Sequence, residues 1–108
     1  MYSLTVKTDV IAHHYVIELR LDGAELDQHG YLCDIVNVEA ELRSVRERFA
    51  DRLLNERPEF KGLNPSVEHF ARIVCQRLAE RLSAPNLSAI AVRIWENDIA
   101  SASYEQAL

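Results

Sequence analysis

The feature of this sequence that most constrains its fold is the order of its hydrophobic periodicities. Segments near both ends of the chain alternate between apolar and polar residues, and two segments between them follow helical spacing. In three segments, apolar residues recur at every second position and form a row on one side of the chain. This is the pattern of half-buried strands. These rows are Tyr2, Leu4 and Val6; Ile17, Leu19 and Leu21; and Ile90, Val92 and Ile94. We also predict a short strand for "YLCDIV", residues 31–36, and a weak final strand for "SASY", residues 101–104.

The two central segments predict amphipathic helices. The first helix is predicted to begin at the N-cap Asn37, and the second at Asn64 and Pro65, because proline is tolerated in the first helical turn. Their apolar stripes are Val38, Leu42, Val45, Phe49 and Leu53, and then Val67, Ala71, Val74, Leu78 and Leu82. We interpret the arginines and glutamates on the other faces of the first helix as solvated surface.

Strands, two helices and further strands predict an α+β fold, with an antiparallel sheet and both helices on one of its faces. At 108 residues the chain is long enough for one domain, residues 1–108, and small enough to gain buried surface by self-association. The net charge of −5 argues against nucleic acid as a partner. No apolar run is long enough to cross a bilayer, and the N-terminus lacks the pattern of a secretion signal, so we expect a cytoplasmic protein. Cys33 and Cys75 are predicted to be small apolar residues rather than a disulfide.

Two adjacent histidines in "IAHHYVIEL", residues 11–19, raise the question of a metal site. Neighbouring residues of a regular strand point to opposite faces, so His13 and His14 are not expected to converge on one ion. A turn would relax this limit, but the further candidates are only His29, in a turn, and His69, in the second helix. We therefore favour surface or hydrogen-bonded histidines, and we regard Cys33 as a nucleophile only by residue type.

Several short segments, in order along the chain, resemble the 6-pyruvoyl-tetrahydropterin synthase and 6-carboxytetrahydropterin synthase family. They are "YSLTVKTDVIAH", "LDQHGYLCDI", "LLNERPEFKGLNPSVEHFA" and "VRIWEN". The resemblance implies the T-fold, a four-stranded antiparallel sheet (ββααββ) with two helices on its outer side. It also implies that the sheets of several copies join edge to edge into a barrel, in trimers that pair into hexamers. Such a barrel removes exposed strand edges.

The resemblance further implies a zinc ion held by three histidines and a cysteine activated by an Asp-His pair, and this chain departs from both patterns. "IAH" runs directly into "HYVIEL", so the segment that carries the cysteine and a His-Gly-His in relatives is missing. Alignment on Leu54 and Asn55 places Ala50 and Asp51 where the Asp-His pair is expected. We therefore expect no catalytic residues of that kind and no zinc cofactor, with His13 and His14 as the weak metal candidates.

Glu96 is the strongest candidate site residue. By the strand period it continues the row of Ile90, Val92 and Ile94, which puts a carboxylate at the end of an apolar row, where it needs a partner or a ligand. From the residues alone, the favoured alternative is a glutamate at the end of a strand that is exposed to water. The resemblance favours a ligand anchor instead, because the corresponding glutamate of the family binds the adjacent N–H and amino groups of a pterin ring. The resemblance also places Ser66 and Leu54 in the ligand-binding region. For Ser66, helix capping is an equal alternative. For Glu68, helix capping is the favoured role. Asp34 is expected to make a turn contact. Trp95 is out of phase with Glu96, so we expect it to pack on the opposite sheet face or against the helices rather than on a ligand.

Three functional hypotheses follow. The first is a protein that binds a pterin or purine-like heterocycle at a subunit interface through Glu96 but has lost the zinc-dependent lyase reaction. The second is an active synthase that acts on dihydroneopterin triphosphate with a metal site rebuilt around His13 or His14. The third is a non-catalytic assembly subunit with no small ligand.

Overall fold

A computed structural model of the chain describes residues 1–10, 15–49, 58–63, 66–82 and 84–108. Its elements, in chain order, are β1 (Tyr2–Val10), β2 (Tyr15–Gly23), α1 (Ile35–Phe49), a 3₁₀ turn (Pro58–Phe60), α2 (Val67–Arg81), β3 (Ala89–Trp95) and β4 (Ser101–Ala107). The four strands form one antiparallel sheet in the order β1-β2-β3-β4. The predicted ββααββ arrangement, with both helices over one face, is confirmed.

The register of the sheet explains which face the helices cover. Leu19 lies opposite Val6 on β1 and opposite Val92 on β3, so the apolar rows of the strands stand side by side. The central rows are fully buried, whereas the alternate positions on the other face are more exposed. The helices cover the rows with their own apolar stripes, whose buried members include Val38, Leu42, Val45, Phe49, Ala71, Val74 and Leu78.

An aromatic cluster fills the core where α1 ends and α2 begins. The Phe70 ring lies 5.1 Å from Phe49, 6.0 Å from Phe60 and 5.4 Å from Tyr15, measured between ring centroids. Beside the cluster, the Arg48 guanidinium donates two hydrogen bonds, of 2.9 and 2.8 Å, to the Glu59 carboxylate. Thus α1 is tied to the 3₁₀ turn by apolar packing and by an ion pair.

The predicted short strand at residues 31–36 is wrong. The Asp27 carboxylate accepts hydrogen bonds from the backbone N–H groups of His29 and Tyr31, and Gly30 adopts a φ of 83°, so the chain turns here rather than extending. The helix then begins at Ile35. Its cap is Asp34 rather than Asn37, because an Asp34 carboxylate oxygen accepts the N–H of Val36 at 3.0 Å. The turn contact expected of Asp34 is therefore this helix cap.

The other helix boundaries partly fall outside the described residues. The first helix is described as far as Phe49, and its predicted continuation to Leu53 lies in the undescribed part of the chain. The second helix begins at Val67 with Ser66 as its N-cap, whereas Asn64 and Pro65 lie outside the described residues. Among the described residues, no helix is both long enough and apolar enough to cross a membrane.

Candidate functional site

Glu96 lies where the buried row of β3 reaches the end of the sheet. Ile90, Val92 and Ile94 are at most 1% exposed, and Glu96 is the next position of the same period, directly after the last residue of the strand. Its side chain is exposed in the single chain. The described residues therefore leave this carboxylate unburied, and the burial that its place in the row predicts would require further groups around it.

The turn between β3 and β4 fixes the position of Glu96. Its backbone N–H donates to the carbonyl of Ala100 at 2.9 Å. The Asn97 side-chain oxygen accepts hydrogen bonds from the N–H groups of Ile99 and Ala100, at 2.9 and 2.8 Å. An asparagine that binds the backbone two residues further on is a standard turn former. The backbone that carries Glu96 is therefore held in a defined, hydrogen-bonded turn.

A groove of about 390 Å³ opens beside Glu96. Its second wall is the first turn of α2, and its base is the beginning of β4. The lining residues are Val67, Glu68, Glu96, Ala100, Ser101, Ala102 and Ser103. Both of its charged groups are carboxylates, and within the described residues no cationic side chain lines it. The groove therefore suits a ligand that presents hydrogen-bond donors.

The N-terminus of α2 borders this groove. The Ser66 hydroxyl accepts the N–H of His69 at 3.1 Å, so Ser66 acts as a helix cap, one of the two roles predicted for it. It is not among the residues that line the groove beside Glu96. Glu68 lies in the first turn, where a carboxylate interacts favourably with the helix dipole, and its side chain is exposed.

Tyr15 is a neighbour of Glu96 that the sequence analysis did not single out. Its ring packs edge-on against Phe70. Burial, and then the negative charge of Glu96, raise the pKa of the Tyr15 phenol, so the hydroxyl stays protonated at neutral pH. The sequence contains a signal for this position, because Tyr15 stands two residues before Ile17 and so belongs to the same inward row of β2.

Comparisons with known proteins agree with this architecture. The family model described as 6-pyruvoyl tetrahydropterin synthase matches residues 10–107. The chain belongs to this family. Among solved structures, 6-pyruvoyltetrahydropterin synthase from Plasmodium vivax aligns with a TM-score of 0.81 at 14% identity, over 99% of this chain and 98% of that one. The Plasmodium falciparum synthase has the same TM-score and coverage at 11% identity. The Caenorhabditis elegans synthase has a TM-score of 0.71 at 23% identity, over 87% of this chain and 67% of that one.

At these identities the structural matches establish the shared T-fold and nothing finer. Two of the Plasmodium vivax structures are of variants of a catalytic residue of that enzyme. The comparison with curated protein sequences gave no match.

The family resemblance implies a zinc ion, but the described residues of this chain do not form a set of ligands for it. Those residues contain no group of three metal-ligating side chains. His69 lies in the first turn of α2, near the groove. His29 follows the Gly23 end of β2, and the nine residues of this strand, about 26 Å in length, separate that end from the groove. His13 and His14 lie outside the described residues, so their candidacy remains a prediction.

The remaining predicted residues are distributed as follows. Leu54, with Ala50 and Asp51, lies outside the described residues. Cys33 is half-buried in the connection before α1, not in a strand, and Cys75 is fully buried in α2. Trp95 lies on the sheet face away from the helices, as its phase predicts, with the Arg93 guanidinium 5.8 Å from its ring centroid.

Proposed function

We propose that this member of the 6-pyruvoyl tetrahydropterin synthase family binds a pterin or purine-like heterocycle, with Glu96 as its anchor. The observation that carries the proposal is the position of Glu96, a carboxylate at the end of a buried apolar row. It faces an open groove in which the described residues supply no cation. A carboxylate placed in this way gains most from a ligand with two adjacent donors.

The chemistry of a pterin matches this requirement. Its ring edge carries a ring N–H next to an exocyclic amino group, and a carboxylate offers two acceptor oxygens in one plane. Two parallel hydrogen bonds to an ionised group are stronger than bonds between neutral groups, and they fix the orientation of the ring. Guanine presents the same pair of donors, so the anchor selects a class of heterocycle rather than one compound.

We further propose that the binding site is completed by a neighbouring copy. The groove lies at β4, which is one of the two edges of the sheet. An unpaired edge strand favours strand pairing with another chain, and closure into a barrel satisfies every edge. A trimer, or two trimers in a hexamer, would add a wall from the neighbouring copy to the one formed by α2 and would remove Glu96 from solvent.

We also propose that the chain does not catalyse the zinc-dependent lyase reaction of its relatives. The support is the short first hairpin together with the sequence it contains. Val10 pairs with Tyr15, so four residues, Ile-Ala-His-His, connect β1 and β2. That connection supplies two histidines and no cysteine, and Ala50 and Asp51 stand where the Asp-His pair is expected.

The proposal is tested by titrating the purified protein with pterin, and separately with guanosine as the purine probe, by isothermal titration calorimetry. The expected result is saturable binding of at least one heterocycle, with stoichiometry close to one per chain. The absence of binding to both would leave an assembly subunit without a small ligand as the function of the chain.

A further inference from the structure

A second groove lies at the opposite edge of the sheet, between β1 and α1. It measures about 320 Å³, and the buried side chain of Leu42 contributes to its base. The lining residues are Val6, Lys7, Thr8, Glu39, Leu42, Arg43 and Arg46. Arg43 and Arg46 are cationic and Glu39 is anionic, whereas Lys7 alternates with Val6 and Thr8 along β1 and pairs with Glu18 on the other face of the sheet. The groove therefore carries a net positive charge, and the groove beside Glu96 is acidic.

The two arginines of the basic groove have no partner among the described residues. Lys7 forms an ion pair with Glu18, 3.5 Å away on β2. Arg43 and Arg46 form no ion pair or side-chain hydrogen bond in the part of the chain that the structure describes. Other arginines on the helices do find partners, as Arg48 does with Glu59. Two neighbouring guanidinium groups without an ion-pair partner among the described residues therefore border an open groove at one sheet edge.

The topology places the acidic and basic grooves so that they meet when two copies join. The strands alternate in direction, so β1 and β4 are antiparallel, and β4 of one copy can continue the sheet beside β1 of the next. In that arrangement the Val10 end of β1 lies beside the Ser101 end of β4. Residues 6–8 of the basic groove and 100–103 of the acidic groove then lie along the same stretch of the joined edge.

The charges of the two grooves are complementary. One edge carries Arg43 and Arg46, which have no ion-pair partner in the described ranges, and the other carries Glu68 and Glu96. Opposite charges across an interface fix its register and disfavour wrong pairings, even where they add little affinity. The same pairing would partly neutralise the acidic groove and supply the wall that it lacks in the single chain.

We propose that Arg43 and Arg46 of one copy form an ionic clamp with Glu68 of the next copy, and that this clamp closes the groove beside Glu96. The partner is therefore a second copy of this chain, which contributes residues to the site. The inference rests on the proposed function only because it treats the groove beside Glu96 as the ligand-binding site. In this arrangement Glu68 pairs with the arginines of the neighbouring copy, and Glu96 is left free to bind the ligand.

Charge reversal tests the clamp. The state of assembly is measured by sedimentation velocity, without heterocycle, at 50 and 500 mM NaCl. The Arg43→Glu/Arg46→Glu variant is expected to dissociate at a concentration at least tenfold higher than the wild-type chain does, and Glu68→Arg to behave similarly. Combining the three substitutions restores opposite charges and is expected to recover assembly. Lys61→Glu, on an exposed turn, is the control for a charge change and should assemble as wild type.

Folding is checked in each variant by circular dichroism and thermal unfolding, so that loss of assembly is not confused with loss of structure. A wild-type chain that is monomeric at all concentrations would overturn the inference. So would assembly that is insensitive to Arg43→Glu/Arg46→Glu, or a triple variant that is folded but still dissociated. Because no heterocycle is present, these outcomes leave the anchoring role of Glu96 to be judged separately by titration.

Discussion

Val10 and Tyr15 face each other as the described pair nearest the end of the first hairpin. Only four residues, 11–14, stand between them in the sequence, and the metal chemistry of the chain depends on how many ligands they supply. Residues 11–14 include His13 and His14 but no third ligand. A catalytic zinc site needs about three protein ligands that converge on one point.

The first prediction therefore concerns metal content. The protein purified from zinc-supplemented medium is expected to contain well under one zinc per chain by inductively coupled plasma mass spectrometry. His29→Ala, at the far end of the sheet, serves as the control variant. One zinc per chain that disappears in His13→Ala but persists in His29→Ala would support an active, metal-dependent synthase instead.

The aromatic cluster yields a stability prediction. Phe70 is fully buried between Phe49, Phe60 and Tyr15, so Phe70→Ala leaves a cavity that its neighbours cannot fill. Substitutions of this kind cost about 3–5 kcal/mol in free energy of unfolding. Urea unfolding measures the change. Glu80→Ala, exposed on the same helix, should stay within about 0.5 kcal/mol of wild type, and a similar small change for Phe70→Ala would contradict this packing.

The Arg48–Glu59 ion pair predicts a dependence of stability on pH. The hydrogen bonds from Arg48 hold the pKa of the Glu59 carboxyl below its ordinary value of 4.5. Since the folded-state pKa is lowered, the stabilisation is fully present above the unfolded-state pKa and is lost as pH falls through the folded-state pKa.

Accordingly, Glu59→Gln should lower the melting temperature at pH 7, and its difference from wild type should shrink steadily below about pH 4.5. Glu47→Gln, exposed on α1, is the matched control. A difference that is constant from pH 7 to pH 3 would show that the ion pair does not contribute through the Glu59 charge.

The two cysteines are predicted to differ in reactivity. Burial raises the pKa of the Cys75 thiol to about 11, and its side chain has no exposed surface. Burial, followed by the charges of Asp34 and Asp27, also raises the pKa of Cys33, but its side chain is partly accessible. Thiolate is the reactive form.

Ellman's reagent at pH 8 should therefore modify one thiol slowly in the native protein and two in guanidinium chloride. Cys33→Ser should leave no reactive thiol in the native state. Rapid modification of both cysteines in the folded wild-type chain would be incompatible with the buried position of Cys75.

The sequence correctly predicts the helices and strands that bury one face and expose the other. The rows of Leu19 and Val92, and the helical stripe of Val74 and Leu78, are apolar because one face of each element is covered. Residues 31–36 are apolar enough to resemble a strand, but the hydrogen bonds accepted by Asp27 turn the chain before it can extend.

The candidate site could be predicted only in part. The strand period places Glu96 at the end of its row, and helix capping by Ser66 follows from residue type and position. The proximity of Tyr15 to this site depends on the register of β2 against β3, and that of Glu68 depends on the packing of α2 against the sheet. Local periodicity contains neither. The lack of an ion-pair partner for Arg43 and Arg46 within the described part of the chain is likewise visible only when the neighbours of each side chain are known.

The role of Glu96 is tested most directly by the affinity of the heterocycle that binds the wild-type chain, measured by calorimetry for wild type, Glu96→Gln and Asp98→Asn. Asp98 is an exposed carboxylate of the same turn and is absent from the lining of the groove. Glutamine keeps the shape of the side chain but replaces one acceptor with a donor and removes the charge. Hydrogen bonds to charged groups contribute about 1.5–3 kcal/mol, so we expect an affinity about 10- to 100-fold lower for Glu96→Gln and unchanged for Asp98→Asn. Equal affinity in all three proteins would contradict this expectation.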